Sequence, residues 1–292
     1  MKCMKQKPGI ASHTTGSIHS KDGTTIGYRK LGHGPGLILL HGGMQSSRNF
    51  MRLAAALSDA FTLYIPDRRG RGLSGPHGQS YNLSRECEDI ESLIAATGAH
   101  DIFALSSGAI VALRSALTLP AIRRLALYEP PLSINHSSPT SWVPRFDNEI
   151  AEDKIAAALV TAMKGLQVSS LFSALPRFVL VPLMKLALMI QAKDVQDGGA
   201  SISALIPTQH FDVQLVIETE GTLESYKEVR AEVLLLGGSK SPAYLHVSLD
   251  ALNKTLPHVQ RIELEGLDHL GADNDGKPDQ VASQLRKFIA FA

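Results

Sequence analysis

Residues 101–113 read DIFALSSGAIVAL, an apolar run that passes through two serines into a second apolar stretch. Asp101 to Leu105 is short and ends at a turn, which is typical of a strand buried on both faces of a sheet. Gly108 to Leu119 has the length and apolar content of a helix. The segment therefore predicts a strand that turns sharply into a helix, with the two serines at the turn.

Further apolar runs bounded by turn residues repeat this pattern of buried strands. They are Gly36 to Leu40, Phe61 to Ile65, Arg124 to Tyr128 and Glu232 to Leu236. Helix-length segments between the runs include Asn49 to Leu57 and Ser84 to Ala96. Such alternation predicts an α/β fold with a mostly parallel, doubly wound sheet. Asp22-Gly23 favours a tight hairpin turn, so we expect an antiparallel pair of strands at the sheet edge.

The alternation stops between Pro130 and Val229 and resumes with the run AEVLLLGG. The intervening stretch has helical periodicity without a convincing strand, so it predicts an inserted helical cap. The expected organisation is an N-terminal tail over 1–16, an α/β core over 17–130 and 230–292, and a cap domain over 131–229.

One stretch of the predicted cap, ALPRFVLVPLMKLALMIQA over 174–192, is unusually apolar. Two prolines and a lysine interrupt it, which argues against a helix that spans a membrane. The stretch predicts either a cap helix that faces an apolar pocket or ordinary packing between cap helices. Periodicity does not distinguish the two, because it does not say what an apolar face contacts.

The turn in 101–113 identifies the candidate nucleophile. Ala104 and Gly108 lie two positions before and after Ser106, and small residues there let the strand and the helix approach without clashes. The helix start carries partial positive charge, so the Ser107 N–H is predicted as one donor to a developing oxyanion. Ser107 as nucleophile is the alternative register, but it puts a leucine in the first small position. A structural alternative is that both serines cap the helix.

A second turn follows the run that ends at Leu40 and reads HGGM over residues 41–44. Two glycines allow backbone N–H groups to approach a substrate oxygen closely. The Gly43 N–H is therefore the predicted second oxyanion donor, with Met44 as the neighbouring candidate. For His41 we expect a structural hydrogen bond within the turn.

His269 lies near the end of HVQRIELEGLDHLGAD, residues 258–273, which predicts a strand followed by a short loop. A loop at the carboxyl end of a strand is where ligands meet a sheet of this type. A serine hydroxyl is a poor nucleophile at neutral pH and needs a base within hydrogen-bond reach. The sequence therefore predicts that His269 activates Ser106 and then passes the proton to the leaving group.

In their order and spacing these segments resemble the α/β-hydrolase superfamily. The matching motifs are HGG at 41–43, PDRRGRGLSG at 66–75, ALSSG at 104–108 and GLDH at 266–269, and the resemblance covers the chain from about Ile18. It implies the α/β-hydrolase fold, a serine nucleophile and a triad in the chain order serine, acid, histidine.

The acid is where this chain departs from the commonest pattern of the family. Many members carry an Asp in the loop after the strand before the last one, whereas the run LLLGGSKSP places Ser241 there. Glu129, at the end of the run RRLALYEPP, resembles the Glu found at that point in fungal zearalenone lactonases and in one group of haloalkane dehalogenases. From there it would orient the His269 imidazole. The alternative is that Glu129 caps the turn before Pro130-Pro131.

Other charged residues have weaker claims to a catalytic role. Asp268 is adjacent to the base, and adjacent side chains rarely reach the next ring, whereas Asp250 falls in SLDAL, which indicates a helix beyond the loop. Arg68, Arg69 and Arg71 resemble a common family loop in which arginines make structural contacts, so we do not assign them to an acidic substrate.

Composition sets limits on location and partners. The 292 residues include 29 basic and 28 acidic side chains, so no long-range field favours nucleic acid or an anionic membrane. Two cysteines, Cys3 and Cys87, support neither a disulfide framework nor a metal site and fit a reducing compartment. The first residues lack the apolar core of a signal peptide. We therefore expect a cytoplasmic monomer or homodimer with no nucleic-acid or membrane partner.

These features predict a hydrolase that cleaves a carboxylic ester or lactone of a hydrophobic small molecule through an acyl-enzyme, with no metal and no organic cofactor. Substrate contacts are expected from Met44, Leu132, Trp142 and Leu270. The same serine and histidine would serve a cofactor-free hydrolase of C–C bonds in β-diketones. Two non-enzymatic alternatives are a ligand receptor that retains the triad and a protein that uses the apolar cap as an interface.

Overall fold

The computed structural model describes residues 12–168, 172, 174–191 and 200–290. Its strands are Thr14–His19 (β1), Thr25–Gly32 (β2), Gly36–Leu40 (β3), Thr62–Pro66 (β4), Asp101–Leu105 (β5), Arg124–Tyr128 (β6), Glu232–Gly238 (β7) and Val259–Leu264 (β8). They form one sheet in the order β1-β2-β4-β3-β5-β6-β7-β8. β2 pairs antiparallel with β1 and β4, and the other pairs are parallel. The predicted mostly parallel sheet with an antiparallel edge is confirmed.

Helices alternate with the parallel strands and fill the segment between β6 and β7. They are Met51–Ala55 (α1), Leu83–Thr97 (α2), Ser107–Thr118 (α3), Val143–Ala151 (α4), Ile155–Gly165 (α5), Arg177–Gln191 (α6), Ile202–Leu205 (α7), Gln209–Glu218 (α8), Ala243–Thr255 (α9) and Pro278–Ala290 (α10). Local signals set the ends of α2: the Asn82 side chain accepts a hydrogen bond from the Arg85 N–H, and Gly98 terminates the helix in the left-handed conformation.

Both faces of the parallel sheet are buried, which explains why its strands are continuous apolar runs. In β3, Ile38 and Leu40 pack with α2, α3 and α9 in one apolar cluster. Leu37 and Leu39, on the opposite face, pack with α1 and α10 in another. Successive side chains of a strand point to opposite faces, so a doubly wound sheet needs apolar residues at every position. Because these strands are parallel, the carboxyl ends of β3, β5, β6 and β8 lie at the same edge of the sheet.

The described part of 131–229 contains helices and no strand. A third apolar cluster holds α4, α5 and α8 together through side chains that include Phe146, Ala158 and Val213. At the N-terminus, however, residues 14–16 belong to the sheet rather than to the predicted tail, because Thr14 pairs with Lys30 of β2. No helix in the described ranges is both long enough and apolar enough to cross a membrane.

Candidate active site

Ser106 occupies the turn between β5 and α3 in a backbone conformation that residues other than glycine rarely adopt. Its φ is 56° and its ψ is −128°, and these angles direct the hydroxyl away from the strand and the helix. The neighbouring turn after β3 comes so close that a Cβ on Gly108 would lie 2.4 Å from the His41 carbonyl oxygen. Glycine at 108 is therefore required by the approach of the β3 turn as well as by the β5 turn itself.

Ser106, His269 and Glu129 form one chain of hydrogen bonds. His269 Nε2 lies 3.0 Å from Ser106 Oγ, and His269 Nδ1 lies 2.6 Å from Glu129 Oε2. Glu129 is fully buried, and its other oxygen accepts a hydrogen bond of 2.6 Å from the Gly238 N–H. The carboxylate thus favours the Nδ1–H tautomer, which leaves Nε2 free to accept the serine proton.

The competing carboxylates have other partners. Asp268 Oδ1 accepts from the Leu270 N–H, and Asp250 pairs with Arg261. Glu129 does not act as the turn cap that is its structural alternative, because both of its oxygens bind groups from β7 or from the His269 loop.

Two glycines at the end of β7 lie beside Glu129. A Cβ on Gly237 would lie 2.6 Å from Leu249 Cδ1 and 3.3 Å from Glu129 Oε1, and the Gly238 N–H donates to that same oxygen. This is the strand end at which the family most often carries its Asp. In this chain the Gly238 N–H at that strand end binds the carboxylate of Glu129, which comes from the neighbouring strand β6.

The predicted oxyanion donors lie on either side of the serine. Ser107 is the first residue of α3, so its N–H has no acceptor within the helix. The Gly43 N–H also has no acceptor within the described part of the chain. Gly42 and Gln45 hold the turn in place: the Gly42 N–H donates to Gln45 Oε1 at 2.9 Å. Met44 follows Gly43 with a positive φ of 51°.

His41 has the structural role expected for it. Its Nδ1 lies 2.9 Å from the Gly42 carbonyl oxygen, and its Nε2 accepts from the Arg68 N–H at 3.1 Å. Complete burial lowers the pKa of His41 to about 4, and the nearby Arg71 and Arg68 guanidinium groups act in the same direction. A neutral ring with a proton on Nδ1 satisfies both contacts, so His41 braces the turn that carries Gly43.

The serine and the histidine open onto a cavity of about 320 Å³. Two of the four residues predicted to contact substrate, Met44 and Leu270, line it. Most of its other walls come from the helical segment between β6 and β7, which contributes four polar residues, Ser138, Thr140, Gln209 and Asp212, and a larger apolar set: Pro131, Pro139, Leu159, Met163, Leu166, Val168, Ile202, Val213 and Val216. The cavity thus places a mainly apolar wall next to Ser106.

Leu132 and Trp142 do not line the cavity, contrary to the sequence expectation. Leu132 is fully buried in the apolar cluster beneath α2 and α3. The Trp142 ring packs on Phe146 and so close to Gly165 that a Cβ there would lie 2.2 Å from it. Both side chains pack in apolar clusters. The position of a residue after β6 in the sequence does not show whether its side chain faces the cavity.

A buried ionic cluster lies beside the turn that carries Ser106 and Ser107. Asp212 of α8 binds Arg68 at 2.8 Å and Arg71 at 2.6 Å, and the Ser107 hydroxyl donates to it at 2.8 Å. Burial alone would raise the Asp212 pKa, but the Arg71 and Arg68 charges outweigh burial and hold it at about 2. The arginines therefore make the structural contacts expected of them. Asp212, which sequence reasoning missed, ties the helical segment to the serine turn.

We expect Asp212→Ala to destabilise the fold by about 3 to 5 kcal/mol, because removal of one partner leaves buried guanidinium charge without compensation. Arg71 would keep only the Thr208 hydroxyl as a partner. Urea unfolding measures the change. Asp59→Ala is the matched control, since Asp59 pairs with Arg286 on the surface and its loss should change little. Equal midpoints for the two variants would contradict the importance of the cluster.

No group of three or more metal-binding side chains is arranged to hold an ion in the part of the chain that the structure describes.

Comparisons with known proteins agree with this fold. The chain is 26% identical over 264 residues to a pimeloyl-[acyl-carrier protein] methyl ester esterase of Xanthomonas campestris. The aligned region covers 89% of this chain and 97% of the esterase. An alpha/beta hydrolase from Sphaerobacter thermophilus superposes with a TM-score of 0.75 at 27% identity over 94% of this chain and 99% of that one. The enol-lactonase from Burkholderia xenovorans shares the fold, with a TM-score of 0.68 at 18% identity over 94% of this chain and all of that one. A model of the alpha/beta hydrolase family matches residues 37–284, and the chain belongs to that family.

Proposed function

We propose that this hydrolase cleaves a carboxylic ester or lactone of a hydrophobic small molecule through an acyl-enzyme. The observation that carries the proposal is the chain of hydrogen bonds from Ser106 through His269 to the buried Glu129, which ends at an apolar cavity. The esterase named above supports ester cleavage by a related chain.

In the proposed reaction Ser106 Oγ attacks the carbonyl carbon while His269 Nε2 takes its proton. Glu129 stabilises the imidazolium that forms, and the Gly43 and Ser107 N–H groups bind the negative oxygen of the tetrahedral intermediate. The imidazolium then protonates the departing alkoxide. His269 next activates a water molecule, whose attack on the acyl-enzyme releases the acid and restores Ser106.

The cavity favours an uncharged acyl group. None of the described residues that line it is Lys or Arg, and the charged residues in its lining are Asp212, Asp268 and Asp273. The nearby Arg68 and Arg71 are already paired with Asp212, so an anionic substrate would find no free cation in the described lining. In this proposal the helical segment 131–229 acts as the cap whose apolar side chains select the substrate.

The test is the intact mass of the protein after treatment with a fluorophosphonate probe. One adduct on the wild type, absent from Ser106→Ala, is the expected result. A panel of neutral esters and lactones then defines the substrate, and product analysis separates alcohol release from cleavage of a C–C bond. A wild-type protein that takes up no probe would contradict the proposal and favour a receptor on the same fold.

Gly43→Ala should lower kcat by about 10²-fold with a smaller change in KM, because loss of one oxyanion donor acts in the transition state. A Cβ at 43 would lie 2.6 Å from Gln209 Oε1 and 3.1 Å from Asp212 Oδ2, so the turn and its N–H must shift. Gly75→Ala is the control, because the nearest atom to its Cβ is 3.3 Å away. Steady-state kinetics on one ester compares the two, and an unchanged kcat for Gly43→Ala would remove Gly43 from the oxyanion site.

A further inference from the structure

Most of the large apolar side chains that the described residues expose lie near or on α6. Its inner side packs against α5, where Leu180 is buried. Six residues form the outer face of α6, and all are exposed: Phe178, Val179, Leu183, Leu186, Met189 and Ile190. The exposed fraction reaches 79% for Phe178 and 60% for Met189. An apolar helix face of this size is expected to be covered, and the residues that the structure describes leave this one exposed.

The apolar stretch therefore fits neither of the two interpretations offered from the sequence. No described residue of α6 lines the cavity beside Ser106, so the helix does not face the pocket. Packing between helices accounts for the inner side only. At 100° per residue the outer face is a continuous arc of apolar side chains, and the lysine of this helix, Lys185, lies at its flank.

One exposed lysine flanks the outer face of α6. Lys154 pairs with Glu152 and Arg177 pairs with Glu149, and Asp153 lines a cavity together with Lys185 and Met189. Lys185 is exposed and makes no ion pair within the described ranges. The near-neutral balance of the whole chain, on which the expectation of no membrane partner rested, does not show where apolar and charged side chains lie. An apolar face with a lysine at its flank is the pattern of a helix that lies in an anionic lipid surface.

A second copy of the chain fits this face less well. Fifteen residues give a helix about 22 Å long and about 10 Å wide, a footprint of about 200 Å², whereas each partner in a stable complex buries about 800 Å². Lys185 is one residue past the middle of α6. A twofold contact centred on the helix would therefore bring two unpaired ammonium groups together.

The outer face is also connected to the catalytic cavity. α6 packs on α5, and α5 contributes Leu159 and Met163 to the cavity wall. Lys164 Nζ donates to the Leu175 carbonyl oxygen at 2.7 Å, which holds the end of α5 beside the start of α6. Val168, just beyond α5, both lines the cavity and is exposed. The apolar wall of the cavity thus reaches the surface on the α6 side.

We propose that the outer face of α6 binds an anionic lipid surface and that the enzyme takes a lipid-dissolved ester from that surface. The binding step stands on α6 alone, whereas the choice of substrate rests on the proposed function. Phe178, Leu186 and Met189 would enter the acyl region, and the Lys185 ammonium would extend to the headgroups.

The test is co-flotation with vesicles of phosphatidylcholine that contain either no phosphatidylserine or about one third of it. We expect the wild type to float with the anionic vesicles and less with the neutral ones. Phe178→Glu/Leu186→Glu should reduce vesicle binding at least about tenfold, because both side chains are exposed and two carboxylates would face the acyl chains. Ile217→Glu/Val247→Glu, a matched change at exposed apolar residues of α8 and α9, should bind as the wild type does.

Activity separates this proposal from the function it builds on. Phe178→Glu/Leu186→Glu should hydrolyse a short water-soluble ester at the wild-type rate and lose activity on an ester embedded in vesicles. Ser106→Ala should bind vesicles as the wild type does, because it leaves α6 unchanged. A wild-type protein that floats with vesicles but hydrolyses no ester would support docking and overturn the proposed function. Wild-type protein that does not float, equal flotation of the two Glu pairs, or a wild-type dimer that becomes a monomer in Phe178→Glu/Leu186→Glu would overturn the docking proposal.

Discussion

Ser106→Ala is expected to lower kcat on an ester by about 10⁵- to 10⁶-fold while the fold is retained. The serine supplies the nucleophile, and removal of a nucleophile leaves only the rate enhancement from the oxyanion site and from binding. The only side-chain hydrogen bond that Ser106 Oγ makes within the described part of the chain is the one to His269, so its loss costs little stability. Steady-state kinetics and a thermal melt on the same preparation measure both quantities.

Ser107→Ala is the matched control, since it changes the same side chain one residue later. The Ser107 hydroxyl binds Asp212 and Arg68 rather than His269, and the backbone N–H survives the substitution. A modest loss of activity is therefore expected. Loss of activity in Ser107→Ala with an active Ser106→Ala would reverse the assignment and establish the alternative register of the turn.

Sequence alone located the strands of the parallel sheet because both of its faces are buried. Apolar runs at Gly36–Leu40, Asp101–Leu105 and Arg124–Tyr128 correspond residue for residue to β3, β5 and β6. A strand buried on both faces is recognised by its continuous apolar composition, and the turn residues that follow it mark where it ends. Candidate catalytic side chains that follow directly on such strands, Ser106 and Glu129, could therefore be singled out from local sequence.

Contacts between distant segments were not predictable in this way. Asp212 pairs with Arg68 across 144 positions, and no local pattern around Asp212 marks it as a partner. The apolar residues of 131–229 raised the same difficulty, because periodicity shows that a face is apolar without showing what covers it. Trp142 went to a core, Leu166 to the cavity wall and Phe178 to the surface.

Glu129→Gln is expected to lower kcat by about 10⁴-fold with little change in KM, because the substitution is isosteric but reverses the tautomer of the base. Glu129 accepts two hydrogen bonds, from the Gly238 N–H and from His269 Nδ1–H. A glutamine has one oxygen. If that oxygen binds the Gly238 N–H, the amide NH₂ faces His269 and forces Nδ1 to become the acceptor. Nε2 then carries the proton and no longer accepts one from Ser106.

Asp268→Asn is the control for Glu129→Gln, as it neutralises the carboxylate next to the base. The Asp268 side chain accepts from the Leu270 N–H, and its carbonyl oxygen accepts from the Tyr128 hydroxyl, so neither contact sets the tautomer of His269. Its kcat should therefore stay within about tenfold of the wild type. If Asp268→Asn lost activity as Glu129→Gln is expected to, with Glu129→Gln active, the acid would be Asp268.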